Sequence, residues 1–246
     1  MYQDEDTNPF AEDLVEKRTF RSLDLRGQTV EDKTFQDCVF VDIKWSEAKL
    51  KDCTFEACTI QQSDLTMVKL YGTKLRGVKF EGCKLMGVEW TNASKWLDFS
   101  FVGCVMDYCS FAGLALKKVK FEDCRLVEAN FAGSNLSEAD LSGCDLTGAH
   151  FAQTNLTKAD LATATGYAIS PTSNTVRGLK ISLEAAIALA KSFGMMVAGA
   201  AFEEVADRLL DRTRPRLLAQ IDGLGLADEV VVLGPHVAFV AVGDAQ

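Results

Sequence analysis

Eight cysteines are the residues with most chemistry to offer: Cys38, Cys53, Cys58, Cys83, Cys104, Cys109, Cys124 and Cys144. As thiolates they could hold zinc, and in pairs they could close disulfides. A zinc site needs CxxC-type clusters with histidine close by, and the two histidines, His150 and His236, stand at no such spacing. Each cysteine instead lies two residues before a large apolar one: Phe40, Phe55, Ile60, Leu85, Met106, Phe111, Leu126 and Leu146. That places all eight in one structural role, since buried free cysteine behaves as a small hydrophobe. The glycines of RGVKFEGCKLMG, Arg76 to Gly87, fall between apolar residues and do not read as a phosphate-cradling loop. With no nucleophile and base set in a pocket and no ligand cluster, the expectation is a protein that is not an enzyme and carries no metal or cofactor.

The elements that hold the cysteines repeat every five residues. In ANFAGSNLSEADLSGCDLTGAHFAQTNLTKADL a large apolar residue recurs at Phe131, Leu136, Leu141, Leu146, Phe151, Leu156 and Leu161. Two residues before each sits a small one: Ala129, Ser134, Ala139, Cys144, Ala149, Thr154 and Ala159. A helix would wind a five-residue period around its whole cylinder, and a strand would send alternate repeats to solvent. The chain must therefore bend once per pentapeptide. Such a repeat signals a solenoid whose coils bury one another's apolar groups.

Followed backwards, the frame is unbroken from Phe20 to Trp90, fifteen apolar residues in succession. It slips by one residue within TNASKW, resumes at Trp96, and continues through Phe101 and Met106 to Leu161, for 29 pentapeptides in all.

The net charge of −9 argues against general attraction to nucleic acid or anionic lipid. The best apolar run, Phe193 to Phe202, is about half the roughly 20 residues that a bilayer span needs. No secretory signal opens the chain, so the expectation is a cytoplasmic protein without membrane or direct DNA binding.

The pattern A(D/N)LxG, present as ANFAG, ADLSG, CDLTG and ADLAT, resembles that of pentapeptide-repeat proteins. The resemblance implies an all-β solenoid: a right-handed quadrilateral β-helix with one pentapeptide per side. About seven coils at roughly 4.8 Å would make a rod on the order of 35 Å long, with no cavity for a substrate. CKLMGVEWTNASKW, Cys83 to Trp96, is similar to the mid-rod discontinuity of albicidin-resistance pentapeptide proteins. GYAISPTSNTVRGLKISLEAAIALAKSFGMMV resembles the tail of those proteins and of the microcin immunity protein. Quinolone-resistance pentapeptide proteins belong to the same group. The group implies a homodimer, joined tail to tail, that mimics the DNA duplex and protects DNA gyrase, and often topoisomerase IV, from poisons.

The expected organisation is an acidic N-terminal segment over 1–19, the β-helix over 20–165, a capping and dimerisation segment over 166–200, and an extension over 201–246. Ser182 is a good N-cap for a helix ending at Gly194. Leu183, Ala186, Ile187, Ala190 and Phe193 share one face of it and are the candidate dimerisation residues. The extension, which departs from the family, reads as a small α+β segment of two short helices and a β-hairpin turning at Gly234-Pro235.

Pentapeptides twenty residues apart share a side. The sides of Phe20 and Leu25 together carry 12 acids and 8 bases, whereas the side of Phe35 carries 4 acids and 7 bases. Beyond the insertion the first two sides hold seven acids, Asp107, Glu122, Asp123, Glu128, Asp140, Asp145 and Asp160, against Lys120 and Arg125. These seven form the candidate gyrase-binding patch. Duplex DNA carries roughly one charge per 1.7 Å, so a rod of about 35 Å would need some 20 negative charges. Residues 1–165 have a net of −7, from 26 acids and 19 bases. The charges thus support a local acidic patch rather than wholesale imitation. The alternative is an interaction scaffold with an unrelated protein partner.

Overall fold

The computed structural model describes residues 12–94 and 97–195, together with the backbone of 232–233 and 236–237. It divides into two units, Met1–Ala186 and Ile187–Gln246.

The first unit is a parallel solenoid. Residues twenty apart pair along it, as in Thr34–Gln36 with Thr54–Glu56 and Thr19–Arg21 with Val39–Val41. The separation widens to 21 where Lys84 pairs with Val105 and returns to 20 where Val105 pairs with Arg125. The one-residue insertion is thereby located between them. Each coil bonds to both neighbours: the Leu65 amide donates to the Lys84 carbonyl of the next coil at 2.7 Å, and the Asp64 amide donates to the Ile43 carbonyl of the preceding coil at 2.9 Å. Backbone groups thus find partners from coil to coil without a closed barrel.

The bend expected once per pentapeptide has a local cause. The residue two after nearly every inward apolar one adopts a left-handed conformation, as at Asp52 (φ 52°), Ala57 (φ 50°) and Gly143 (φ 69°), with Asn92 and Thr163 as exceptions. On many sides a turn closes three residues on, where the Ala48 amide donates to the Trp45 carbonyl at 3.0 Å. A left-handed third residue with this bond is the signature of a type II turn. Glycine takes that conformation at no steric cost, which accounts for the final G of the motif.

The inward residues stack coil upon coil. Phe80, Phe101 and Phe121 form one file, with centroids 5.1 and 5.2 Å apart, and Trp90, Phe111, Phe131 and Phe151 form another. An interior void of about 10 Å³, lined only by apolar residues between Trp45 and Trp90, is too small for a substrate.

All eight cysteines are buried and free. They are more than filler. The Cys58 thiol donates to the Phe35 carbonyl at 3.3 Å and that of Cys144 to the Phe121 carbonyl at 3.1 Å. The Thr73 hydroxyl, in the equivalent slot, donates to the Leu50 carbonyl at 3.0 Å. The slot therefore accepts any small residue, and a weak donor there satisfies a carbonyl of the preceding coil.

The solenoid is longer than the apolar frame alone indicates. Val15 is buried one repeat before Phe20 and pairs with Phe35. After Leu161, Lys180–Ile181 pairs with Asp160–Leu161 and Thr175 with Asn155. The ladder runs from Leu14 to Ile181, about eight turns rather than seven. Gly166 and Pro171 occupy two inward-frame positions of the last coil, so no apolar rhythm announces it. At the insertion, Trp96 lies outside the described residues; Leu97 stands opposite Leu75, and a bulge follows before Val78 meets Phe99. Phe99 fills the small-residue slot, 6 % exposed, against Trp90 and Phe101.

A helix spans Leu183–Ser192, capped where the Ala185 amide donates to Ser182 Oγ at 3.1 Å. Gly194 (φ 73°) ends it. In the second unit Val232–Leu233 pairs antiparallel with His236–Val237. The two helices expected before this hairpin, and the acidic residues 1–11, lie outside the described residues. No helix among the described residues is long and apolar enough to cross a membrane.

Candidate protein-interaction surface

The outward positions of each pentapeptide do different jobs. From Asn130 to Asp160 the residue just before the inward one is Asp or Asn in every pentapeptide but that of His150, and its side chain turns back on the chain. Asp140 accepts from the Ser142 amide at 3.1 Å, Asp145 from Thr147 at 3.0 Å and Asp160 from Ala162 at 3.1 Å. Asn130, Asn135 and Asn155 make the same bond to Ala132, Ser137 and Thr157. These are Asx turns, and they need an acceptor oxygen, not a charge. Three of the seven candidate patch acids are thus also turn residues. The interchange of D and N in the motif was the signal for this role.

The remaining four separate by position. Glu122, Asp123 and Glu128 are exposed on the outer surface. Asp107 is not: it is 2 % exposed, accepts from the Val127 amide at 3.3 Å and pairs with Arg125 at 3.2 Å. Its inclusion in an accessible patch is corrected here, because its outward slot is closed over by the neighbouring coil.

Cations interleave with the acids. On the first side Lys120, Asp140, Asp160 and Lys180 succeed one another coil by coil. Lys180 Nζ lies 2.7 Å from Asp160 Oδ2 and holds that carboxyl below the usual range, and the Lys180 ammonium is raised in return. On the second side the Thr147 hydroxyl and amide, with Arg125 adding to them, lower Asp145. His150 Nε2 stands 3.8 Å from Glu128 Oε2. Among the described residues Glu122, Asp123 and Asp140 form no ion pair. These three, on adjacent coils of the first side, are the open part of the acidic patch.

Of the candidate dimerisation residues Leu183, Ala186, Ile187 and Ala190 lie along the helix, and none of the helix's residues is buried. Leu183 is 62 % exposed, and Phe193, one residue past the helix, is 51 % exposed. Among the described residues no cluster of His, Cys, Asp and Glu could hold a metal.

The model of the pentapeptide repeat region matches residues 16–90 and 73–151, more than half of the chain. The chain belongs to the pentapeptide-repeat family. Among solved pentapeptide-repeat structures it is similar to HetL, involved in heterocyst differentiation regulation in the cyanobacterium Nostoc, at 17 % identity and a TM-score of 0.54, over 68 % of this chain and 86 % of that one. It is also similar to two trypsin-treated forms of QnrB1, a plasmid-mediated fluoroquinolone resistance protein. One is 20 % identical over 75 % of this chain and 97 % of that one, with a TM-score of 0.52. The other is 24 % identical over 78 % and 94 %, with a TM-score of 0.50. At these identities the shared property is the fold. No curated protein matches the sequence.

Proposed function

We propose that this protein binds DNA gyrase and shields it from a topoisomerase poison, as antibiotic resistance or producer self-immunity, with topoisomerase IV as a second target. It acts in the cytoplasm as a homodimer joined through the C-terminal segment. The observation that carries this reading is a parallel solenoid bearing carboxylates outside any ion pair, Glu122, Asp123 and Asp140, on one side of adjacent coils. Eight turns at about 4.8 Å make a rod of about 40 Å, the scale of a short duplex segment. Such a side suits a positively charged groove that otherwise takes DNA. The fold likeness to a fluoroquinolone resistance protein supports the same choice of target.

Matching the duplex in charge would take roughly 24 negative charges over about 40 Å. The whole chain has a net of −9. Recognition therefore depends on shape and a small unpaired acidic set. It should weaken as salt rises, because exposed charges are screened over about 10 Å at 0.1 M. The test is gyrase supercoiling and DNA cleavage with purified protein, with and without quinolone, albicidin or cystobactamid-type poisons. Restored supercoiling with fewer cleavage complexes supports the proposal, and no effect with any poison refutes it.

A second reading is an interaction scaffold with an unrelated protein partner. It is favoured by the diversion of Asp107, Asp145 and Asp160 into ion pairs and turns, which leaves little acidic surface. Removal of residues 201–246 separates the two readings: gyrase protection survives if the solenoid carries it.

A further inference from the structure

One outward column on the second side alternates in sign. Asp24, Lys44, Asp64 and Lys84 occupy equivalent positions on four successive coils, each paired through its backbone with the next. Asp24, Lys44 and Lys84 are exposed and Asp64 is half-buried. Neither lysine forms an ion pair among the described residues. Asp24 is held by Arg26 at 2.6 Å, and Asp64 accepts from the Thr66 amide at 3.0 Å. Counting Arg26 and Glu47, this stretch of the side carries three acids and three bases, so it is neutral on a chain of net −9. Most of the other outward residues here are small or uncharged: Gly27, Ser46, Thr66, Met67, Met86 and Gly87.

The order minus, plus, minus, plus reads as its complement when reversed. We infer that this side is a self-docking surface for a second copy of the chain, laid face to face and antiparallel. The two-fold axis lies in the interface, along the strand direction, between the coils of Trp45 and Leu65. It brings Asp24 against Lys84 and Lys44 against Asp64, each pair formed twice. Parallel docking in register would oppose like charges, and a parallel shift of one coil would keep only three pairs. Antiparallel docking is the arrangement that satisfies all four positions. It is independent of the gyrase reading and distinct from association through the C-terminal segment.

The contact is small, four coils of about 4.8 Å each, so it falls among weak interfaces well under the roughly 1,600 Å² of a stable complex. Exposed ion pairs are individually weak, so association is reversible and salt-sensitive.

Sedimentation velocity of the full chain at low salt should show concentration-dependent doubling of whatever mass the C-terminal segment sets. K44E/K84E leaves every Asx turn intact and should weaken that doubling at least about tenfold, since four pairs are replaced by repulsion. The mass set by the C-terminal segment should not change. Geometry is tested with R26C and M86C, whose new thiols are the reactive ones because the eight native cysteines are buried. In antiparallel docking position 26 faces position 86 of the other copy, whereas like positions sit three coils apart, about 14 Å. A short bis-maleimide should therefore cross-link the mixture of the two variants and neither alone. Absence of doubling in the wild type, unchanged doubling in K44E/K84E, or equal cross-linking alone and mixed would each overturn the inference.

Discussion

Asp145 receives two hydrogen bonds from Thr147, one from the amide at 3.0 Å and one from the hydroxyl at 2.6 Å. The carboxylate closes the turn that starts the next side of the coil, and only then faces solvent. This double use separates charge from fold experimentally. D140N, D145N and D160N keep the acceptor oxygen that Asn130, Asn135 and Asn155 already supply at equivalent positions. The triple variant should melt within a few degrees of the wild type and, on the proposed function, should bind gyrase more weakly at low salt. D145A, which loses the acceptor, should cost about 1 kcal/mol in urea denaturation.

The acid limb of stability follows from lowered carboxyls. Arg26 holds Asp24 at about 2, the Thr147 hydroxyl and amide lower Asp145, and Lys180 lowers Asp160. Each is lower in the folded chain than the usual value near 3.9, so the unfolded chain binds more protons in that range. Their contribution is complete above about pH 4 and is lost as pH falls toward 2. Thermal melts should therefore be flat from pH 7 to 5 and drop below pH 4, and D24N should shallow the drop.

Thiol titration tests the burial of the cysteines. Burial pushes the Cys109 thiol up to about 12, and desolvation raises Cys53 as well. The folded protein should leave all eight thiols unreacted with an aromatic disulfide reagent at pH 8, and denaturant should release all eight together. Early reaction of a subset would mark coils that open locally.

Phe111 tests the stacked interior. It lies between Trp90 and Phe131, with centroids at 5.8 and 5.1 Å. F111A should cost about 3–5 kcal/mol, since the coils above and below cannot collapse onto the gap. F111L should cost less, as the neighbouring files already use leucine at Leu126 and Leu136.

Glycines at the bend divide into two kinds. A Cβ on Gly113 (φ 70°) would meet nothing, so G113A should cost only the left-handed penalty, about 1–2 kcal/mol. A Cβ on Gly143 (φ 69°) would strike the Asp123 carboxylate of the coil below, and G143A should cost more. The two unfolding midpoints, compared directly, check the difference.

The solenoid was legible because one period governs both burial and bending, and Phe20 through Leu161 announce it without help from tertiary context. What was not legible shares a cause. Whether an outward Asp faces solvent or folds back depends on the amide two residues later, and at Asp107 on Arg125 one coil above. Neither relationship is visible along one pentapeptide. The last coil is hidden for the opposite reason: Gly166 sits in the inward frame with no side chain to mark it, and the pairings of Asp145 with Thr165, Asn155 with Thr175 and Asp160 with Lys180 reveal the coil.

Because partners along the ladder lie twenty residues apart, widening to 21 or 22 only where a pair spans the insertion, each coil is fastened only to the coil before and after it. Length in such a molecule is a count and not a design. A gene that duplicates or drops sixty bases in frame adds or removes one turn, and the sutured ends meet the same neighbours as before. Reach along a partner's groove can therefore change by about 4.8 Å at a time. An insertion of any other size leaves a seam, and the one between Trp90 and Phe101 is such a seam, sealed by Phe99 in a slot built for something smaller.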